Sequence, residues 1–306
     1  MEQAYDAGIR HFDVAPMYGL GRSESELARF IGWRRSEITI TTKFGIEPSV
    51  LGRLAGSLQR PVRSLLNSIP NMQKQVQNSG RGPASGSMGR LLYASVGYSA
   101  GVARESLDRS LRALGTDYID FFMLHEPSGE LILDIQGVAD YLDDQISRGR
   151  IRAWGVASDM VQLDESQRGL SQRCWVLQCR DDIFEDYLEG AESKQARITF
   201  GVFERALPLL NDYFQRSPEE RRVWSGRLGF DVSDGISLPN LLVRHALHRN
   251  KSGPVLFSST RPERVRAAVS QGDINQDPAA EEEESSALTE LAALLKQAYP
   301  RQGLKA

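Results

Sequence analysis

Residues 118–125 read YIDFFMLH, an apolar run that ends in a histidine. Two earlier runs have the same form: HFDVA at 11–15 contains Asp13, and ITITTK at 38–43 ends in Lys43. Short runs rich in β-branched and aromatic residues predict buried strands. A buried strand has no packing reason to carry an ionisable side chain at its end. These three runs therefore predict strands whose ends carry chemistry.

Apolar runs alternate along the chain with longer segments of helical periodicity, an order that predicts parallel strands joined by crossover helices. The predicted strands are 11–15, 38–44, 118–125, 153–158, 174–179, 198–203 and 254–259. The predicted helices are 23–34, 102–115, 130–148, 160–171, 184–194, 204–215, 237–250, 261–271 and 281–298.

Seven strands are visible where a (β/α)8 TIM barrel closes with eight. Residues 2–7 already have the pattern of the helix that follows a first strand, and Gly8 ends it. We therefore expect one α/β barrel domain over residues 1–306 that lacks its first strand. Three origins of this gap stay open: a start codon placed too late, a truncated natural form, or another segment that fills the place of the strand.

Local signals mark several helix ends. Gly115 is expected to end the helix at 102–115. Ser23, with Glu26 three residues later, has the spacing of a capping box and predicts a helix start. The glutamates at 281–284 would complement the dipole of the last helix. We expect these glutamates to form a solvated cap rather than an acidic binding motif.

Composition limits the classes of function. The net charge of -3 gives no general attraction to nucleic acid or anionic membrane, and no apolar run approaches the ~20 residues of a membrane helix. Cys174 and Cys179 would lie ~16 Å apart on one strand, beyond the ~7 Å limit for a disulfide. Two cysteines also make no zinc site, so we expect no metal. We expect a cytoplasmic protein with reduced thiols.

Residues 46–101 form a long insertion after the Lys43 strand. The insertion carries six basic residues against Glu47 alone, and its later part is rich in Gly, Ser and Pro. Because it leaves the carboxyl end of a strand, we expect a partly ordered lid anchored by residues 91–93 and Tyr98. An insertion without a role stays open. A basic nucleic-acid patch is disfavoured because few aromatic residues are interspersed.

Neighbouring parallel strands would bring four side chains to one mouth of a barrel. These are Asp13, Lys43 and His125 at the strand ends, with Tyr18 in the loop after the first strand. A carboxylate, an ammonium, an imidazole and a phenol together make a proton-transfer site. Each residue alone has a packing interpretation. The four together favour chemistry, because burying charge without use costs several kcal/mol.

Several motifs, in this order along the chain, resemble the aldo-keto reductases. They are AYDAGIRHFDVAPMYG at 4–19, SESEL at 23–27, TTKFG at 41–45, SLDRSLRALG at 106–115, YID at 118–120, LH at 124–125 and GRIRAWGV at 149–156. The resemblance covers residues 4 to about 270 and is weakest in 46–97 and 205–250. The sequence at 16–21 is most similar to that of the branch that includes aldose 1-dehydrogenases.

The resemblance implies hydride transfer between a nicotinamide cofactor and a small carbonyl, alcohol or sugar. It implies that Tyr18 is the general acid and that Asp13 holds Lys43 in place. It also implies that His125 orients the substrate oxygen. An ammonium beside a phenol favours phenolate, so we expect Lys43 to lower the pKa of Tyr18.

The cofactor implied by the resemblance is NADP (NADPH). Residues 254–264 read PVLFSSTRPER, a strand, a turn and a helix start whose backbone N–H groups can receive phosphate. Arg264 matches the family's arginine beside the adenosine 2′-phosphate. The neighbouring candidates for this end of the cofactor are Ser258, Ser259, Thr260 and Arg261. Arg261 also fits a plain surface residue.

Two stretches depart from the family pattern. The family's Ser-Asn pair that holds the carboxamide is replaced by Ala157 and Ser158, so Ser158 or Asp159 would have to take over. Gln178 matches the glutamine of this grip, and Phe203 can supply the ring that stacks on nicotinamide. Residues 204–207 do not match the Ser-Pro-Leu that follows in the family.

Three functions are therefore weighed. The first is an NADP-dependent oxidoreductase acting on a small carbonyl or sugar. The second is a truncated, low-turnover relative that binds the cofactor as a sensing or interaction subunit. The third is a barrel without enzymatic activity. A small-molecule substrate is the expected partner, without nucleic acid or membrane, and the sequence leaves the oligomeric state open.

Overall fold

The computed structural model describes residues 1–57, 91–127, 134–159, 173–184, 195–272 and 278–300. The chain divides into two compact units. Unit 1 comprises Met1, residues 10–179 and residues 194–196, and unit 2 comprises residues 2–9, 180–193 and 197–306.

The strands, in chain order, are β1 (His11–Asp13), β2 (Thr39–Phe44), β3 (Ile46–Pro48), β4 (Tyr93–Ser95), β5 (Ile119–His125), β6 (Ile151–Ser158), β7 (Val176–Arg180) and β8 (Ala196–Phe200). The helices are α1 (Glu2–Asp6), α2 (Ser23–Ile31), α3 (Val50–Ser57), α4 (Ala100–Leu114), α5 (Ile135–Ser147), α6 (Ala206–Arg216), α7 (Pro218–Leu228), α8 (Ser237–Arg249), α9 (Pro262–Gly272) and α10 (Pro278–Ala298). Two 3-10 segments span Tyr18–Leu20 and Gly32–Glu37.

The sheet of unit 1 contains parallel strands in the order β1-β2-β5-β6-β7. The strands β2 and β5 are buried along almost their whole length, as parallel strands covered on both faces are. Asp13 pairs in register with Thr41, and His125 with Ala157. All these strands run in one direction, so their carboxyl ends lie along one edge of the sheet.

Helix α4 forms where its apolar spacing predicts a helix. Ser99 caps its start by accepting a hydrogen bond from the Val102 N–H at 3.2 Å. Gly115 ends it in the left-handed region, at φ +65°, and its N–H donates to the Leu111 carbonyl. Leu107, Leu111 and Leu114 lie on the buried face.

The predicted capping box at the start of α2 is wrong. Arg22 precedes the helix and makes no side-chain cap. The hydroxyl of Ser23 donates to the Ala15 carbonyl at 2.7 Å, and Glu26 pairs with Arg22 at 2.7 Å. The Ser23 hydroxyl therefore binds the loop that carries Tyr18. The Ala15 carbonyl in this loop replaces the local backbone N–H that a capping serine would bind.

The first and last parts of the insertion pair with each other as a two-stranded antiparallel sheet. Here β3 pairs with β4, with Ile46 opposite Ser95 and Pro48 opposite Tyr93. Tyr98 is 1% exposed, so it belongs to the core and fixes this end of the insertion there. Residues 58–90, most of the predicted lid, lie outside the described residues.

Unit 2 has its own apolar core, built from α6, α7, α8, α9 and α10. The strand predicted at 254–259 is wrong: only Val255 bridges, to Thr199 in β8. The Thr199 N–H donates to the Pro254 carbonyl and the Leu256 N–H donates to the Thr199 carbonyl, which completes the bridge. The helices predicted at 160–171 and 184–194 lie outside the described residues, apart from Phe184.

No helix among the described residues combines the length and apolar content that a membrane crossing requires. Cys174 and Cys179 are both buried.

Candidate active site

Adjacent strands place the four predicted site residues together in unit 1. The strands β1, β2 and β5 are neighbours and carry Asp13, Lys43 and His125 at or near their carboxyl ends. Tyr18 opens the short 3-10 segment five residues after Asp13. The structure therefore brings these side chains to one edge of the sheet.

The ammonium of Lys43 is the centre of this cluster. Its side chain is 1% exposed, and Nζ donates to the Asp13 carboxylate and, at 3.3 Å, to the Val14 carbonyl. The same Nζ lies 4.9 Å from the ring centroid of Tyr18. A buried ammonium costs several kcal/mol unless it is paired, and Asp13 supplies that pair.

His125 faces Tyr18 edge to face. The two ring centroids lie 5.8 Å apart, at an interplanar angle of 90°. Nδ1 of His125 is buried and has no hydrogen-bond partner within the described residues. The Tyr98 hydroxyl donates to the main-chain carbonyl of His125, which fixes the end of β5.

The protonated state of Lys43 is strongly favoured. Burial disfavours the ammonium, but the charge of Asp13, the phenolate of Tyr18 where that group ionises, and hydrogen bonds to both side chains outweigh burial, so the pKa of Lys43 lies above its ordinary value. The side chain is therefore a permanent cation near neutral pH.

The pKa of Tyr18 differs from the expectation. Burial raises it, and the opposing effect of Lys43 is too small to reverse that, while Asp13 and Glu126 raise it further. Lys43 itself lowers this pKa, as predicted, but burial outweighs its effect, and burial depends on the fold and is not visible in the sequence. Tyr18 is a protonated phenol at neutral pH and hence a proton donor.

The pKa of His125 lies well below its ordinary value. Burial is the main cause, and the positive charge of Lys43 adds to it. The imidazole is therefore neutral near pH 7, with one N–H to donate and one nitrogen to accept.

The residues predicted for the carboxamide lie on the neighbouring strands. Ala157 in β6 is in register with both His125 and Gln178. Ser158 donates to a carboxylate oxygen of Glu126 at 3.0 Å. Oε1 of Gln178 is buried without a partner among the described residues, so it can accept a hydrogen bond from a ligand N–H.

The predicted phosphate residues lie in unit 2. The N–H of Arg261 donates to the Ser259 hydroxyl at 3.1 Å, just before α9 begins. Arg261 and Arg264 are exposed beside the start of this helix, and Ser258 and Thr260 are exposed in the preceding turn. Exposed arginines beside a helix start suit a phosphate.

Phe203 and the unmatched residues after it also lie in unit 2. Phe203 is half-buried, with its ring 6.5 Å from that of Phe257. Arg205 binds the buried carboxylate of Asp182 through two nitrogens, at 2.7 and 2.9 Å. Glu204 pairs with Arg180 at 2.8 Å. The departure from the family pattern thus serves ion pairs.

A separate cleft of about 440 Å³ lies in unit 1. It is lined partly by Pro16 and Gly21 beside Tyr18, and by Glu24, Glu47 and Arg109. Burial raises the pKa of Glu24. None of the four predicted catalytic side chains lines this cleft, so it is not their site.

Sequence reasoning missed two contacts of the neighbourhood. The Tyr98 hydroxyl donates a hydrogen bond to the main-chain carbonyl of His125, and the Glu126 carboxylate accepts one from the Ser158 hydroxyl. A carboxylate directly after the strand-ending His125 is a signal that could have marked Glu126. The contact of Tyr98 with His125 gives no such signal, because it depends on the path of the insertion.

The fold and this cluster define a class: an α/β protein whose parallel strands hold a phenol, an ammonium, a carboxylate and an imidazole at one edge. Residues 1–168 match the model of the "Aldo/keto reductase family". The chain belongs to this family.

Sequence relatives agree with this membership. The chain is 31% identical over 160 residues to a D-threo-aldose 1-dehydrogenase from Pseudomonas sp., covering 52% of this chain and 42% of that one. It is 25% identical over 298 residues to the NADH-specific methylglyoxal reductase of Escherichia coli K12, covering 89% and 81%. It is 28% identical over 155 residues to a 6-dehydroglucose reductase from Novosphingobium aromaticivorans, covering 51% and 39%. The match thus spans less than half the length of two of these relatives.

Solved structures show the fold. An aldo-keto reductase from Bacillus halodurans in its holo form superposes with a TM-score of 0.64 at 16% identity, covering 94% of this chain and 85% of that one. One from Klebsiella pneumoniae in complex with NADPH gives 0.61 at 17% identity, covering 100% and 85%. The predicted fold class, a (β/α)8 barrel of the aldo-keto reductase type that lacks one strand among the described residues, is confirmed.

Proposed function

We propose that this protein is an NADP-dependent oxidoreductase that transfers hydride between nicotinamide and a small carbonyl, alcohol or sugar. One observation carries the proposal. The buried ammonium of Lys43 is paired with Asp13 and lies 4.9 Å from the centroid of the Tyr18 ring. The imidazole of His125 faces the same ring, and its Nδ1 has no hydrogen-bond partner among the described residues. Family membership supports it.

The four side chains divide the work of proton transfer. Tyr18 gives its proton to the carbonyl oxygen, and Lys43 stabilises the phenolate that this leaves. Asp13 holds the ammonium in place. His125, being neutral, donates its N–H to the same substrate oxygen and orients it. A nicotinamide, when bound, supplies the hydride.

The residues present fit a nicotinamide cofactor. Oε1 of Gln178 and the oxygen of Ser158 suit the N–H groups of a carboxamide, and Phe203 offers a ring for stacking. Arg264 and Arg261, with Ser258, Ser259 and Thr260, suit the adenosine 2′-phosphate. One relative is named as NADH-specific, so the relatives' names do not decide between the two cofactors. The proposed preference for NADP therefore rests on Arg264.

The relatives' names support the proposed substrate class. One is named for an aldose, one for a dehydroglucose and one for methylglyoxal, which are all small carbonyl compounds or sugars. In such folds, loops at the carboxyl edge of the strands set substrate specificity.

A second candidate is a low-turnover protein that binds the cofactor as a sensing or interaction subunit. The observation that favours it is Ala157, which has no side-chain donor or acceptor where the family has a serine. A weaker carboxamide grip would misplace the reacting carbon and lower turnover more than binding.

Two measurements on the wild-type protein separate these candidates. The first is the quench of tryptophan fluorescence on adding NADPH, and the second is consumption of NADPH with aromatic and sugar aldehydes. Quench with turnover supports the oxidoreductase, and quench without turnover supports the sensing subunit. Absence of quench with both NADPH and NADH overturns both.

A further inference from the structure

Glu126 holds an unfavourable backbone conformation at the end of β5. Its φ is +50°, and only Leu20 shares the left-handed region among the described residues that are not glycine. This region is sterically unfavourable for a residue with a side chain. Such a residue persists where its surroundings fix it, which directs attention to its contacts.

Three hydrogen bonds join Glu126 to the end of β6. Its carboxylate accepts from the Ser158 hydroxyl at 3.0 Å and from the Asp159 N–H at 2.8 Å. Its own N–H donates to the Ala157 carbonyl at 2.7 Å. The left-handed turn therefore places the carboxylate across the ends of two neighbouring strands.

The contact with the carboxylate fixes what Ser158 can do. A hydroxyl has one proton, and here that proton is given to Glu126. Towards any further partner, Ser158 can then offer only oxygen lone pairs. On the next strand, the buried Oε1 of Gln178 is also an acceptor. Two acceptors on adjacent strands match the two N–H bonds of a primary amide.

We propose that Glu126 is a positioning residue that makes Ser158 a hydrogen-bond acceptor for the NH₂ of a primary carboxamide. In this way Ser158 supplies one of the hydrogen bonds to the carboxamide that Ala157 cannot make. This inference rests on the proposed function, because the carboxamide in question is that of nicotinamide. A carboxylate that merely tied two strands together would affect stability but would not distinguish ligands with and without this NH₂.

The test compares NADP⁺ with its 3-acetylpyridine analogue, in which a methyl ketone replaces the carboxamide and no N–H remains. Dissociation constants are measured by calorimetry for wild type, Glu126→Ala, Glu126→Gly and Ser158→Ala. Glu126→Gly guards against misfolding, since glycine accepts φ +50° without strain. Glu105→Ala, which changes an exposed glutamate on α4, is the control.

Wild type and the control should bind NADP⁺ about tenfold more tightly than the analogue, as expected for one added hydrogen bond near a charge. All three test variants should reduce this ratio towards one by weakening NADP⁺ alone, and Glu126→Ala combined with Ser158→Ala should cause no further loss. A ratio that stays at the wild-type value in Glu126→Gly overturns the inference while leaving the proposed function intact. A wild type that binds neither dinucleotide overturns both.

Discussion

At the scale of single residues, a buried carboxylate and a partly buried one, at opposite ends of the strands, meet different partners. Asp120, at the start of β5, accepts from Arg35 at 2.8 Å and from the Ile40 N–H at 2.9 Å. Asp13, at the end of β1, holds Lys43. In such folds, the start of the strands serves stability and the carboxyl ends carry chemistry.

Asp120→Ala and Asp13→Ala should therefore fail in different ways. Removing Asp120 leaves Arg35 without its carboxylate, and the free energy of unfolding should fall by about 3 kcal/mol with little change in kcat. Asp13→Ala should lower kcat strongly, because Lys43 loses its orientation. Denaturant unfolding and steady-state kinetics on both variants check this. Equal kcat losses would contradict the division.

The pKa directions predict the pH dependence of carbonyl reduction. The pKa of His125 lies well below 6.5 and that of Tyr18 above 10, so the imidazole is neutral and the phenol protonated between these two values, and kcat/KM should be flat there. Activity should fall only above 10, where the phenol begins to lose its proton. A pH profile with the physiological cofactor checks this. A limb near 6.5 that is absent in His125→Gln would show a titrating imidazole instead.

The convergence of Asp13, Tyr18, Lys43 and His125 could be predicted from the sequence, because packing alone does not account for ionisable groups at the ends of apolar strands. The direction of the Tyr18 pKa could not, since it results from a balance between burial and Lys43 that only the packed site fixes. The position of Glu126 directly after His125 is visible in the sequence, but its contacts are not, because its partners at 158–159 become neighbours only through strand pairing.

At the scale of elements, strong periodicity predicted well and local cap signals did not. The observed bounds of α4 lie within two residues of the prediction, whereas Ser23 binds the Ala15 carbonyl instead of capping α2. The glutamates of α10 are not a solvated cap only, because Glu284 pairs with Arg244 at 2.6 Å and Glu281 with His248 at 2.7 Å. Tertiary partners decided these cases.

Helix α9 gives a prediction on cofactor choice. Arg264→Ala should raise the KM for NADPH about tenfold and leave that for NADH unchanged, because a guanidinium stabilises the 2′-phosphate alone. Arg266→Ala, which changes an exposed arginine two residues further on the same helix, is the matched control. Parallel kinetics with both cofactors check this. A similar change for NADH would refute the role of Arg264.

At the scale of the whole molecule, histidines whose pKa values lie below 6.5 in the folded chain link stability to pH in both units. Burial, with Arg249 and His248, lowers the pKa of His245 in α8 from 6.5 to about 4. The unfolded chain therefore takes up a proton below 6.5 that the folded chain excludes. Stability contributed by this group is present above 6.5 and is lost as the pH falls towards 4.

As the pH falls from 6.5 to 4, His245 should lower the free energy of unfolding by about 1.4 kcal/mol per pH unit. Denaturant titrations at several pH values, on wild type and His245→Gln, measure this slope. The variant should show a slope smaller by that amount. An identical slope in both proteins would mean that His245 titrates equally in the folded and unfolded chains.

The central claim is that the phenol of Tyr18, beside Lys43, delivers the proton in a nicotinamide-dependent reaction. Tyr93 is half-buried and packs against the same small cluster as Tyr18, so Tyr93→Phe is the matched control. The most direct measurement is the rate of NADPH consumption with an aldehyde substrate, alongside the NADPH dissociation constant. Tyr18→Phe should lower kcat by about a thousandfold while its cofactor affinity, and both quantities in Tyr93→Phe, remain near wild type. A Tyr18→Phe variant that turns over at the wild-type rate would contradict the account.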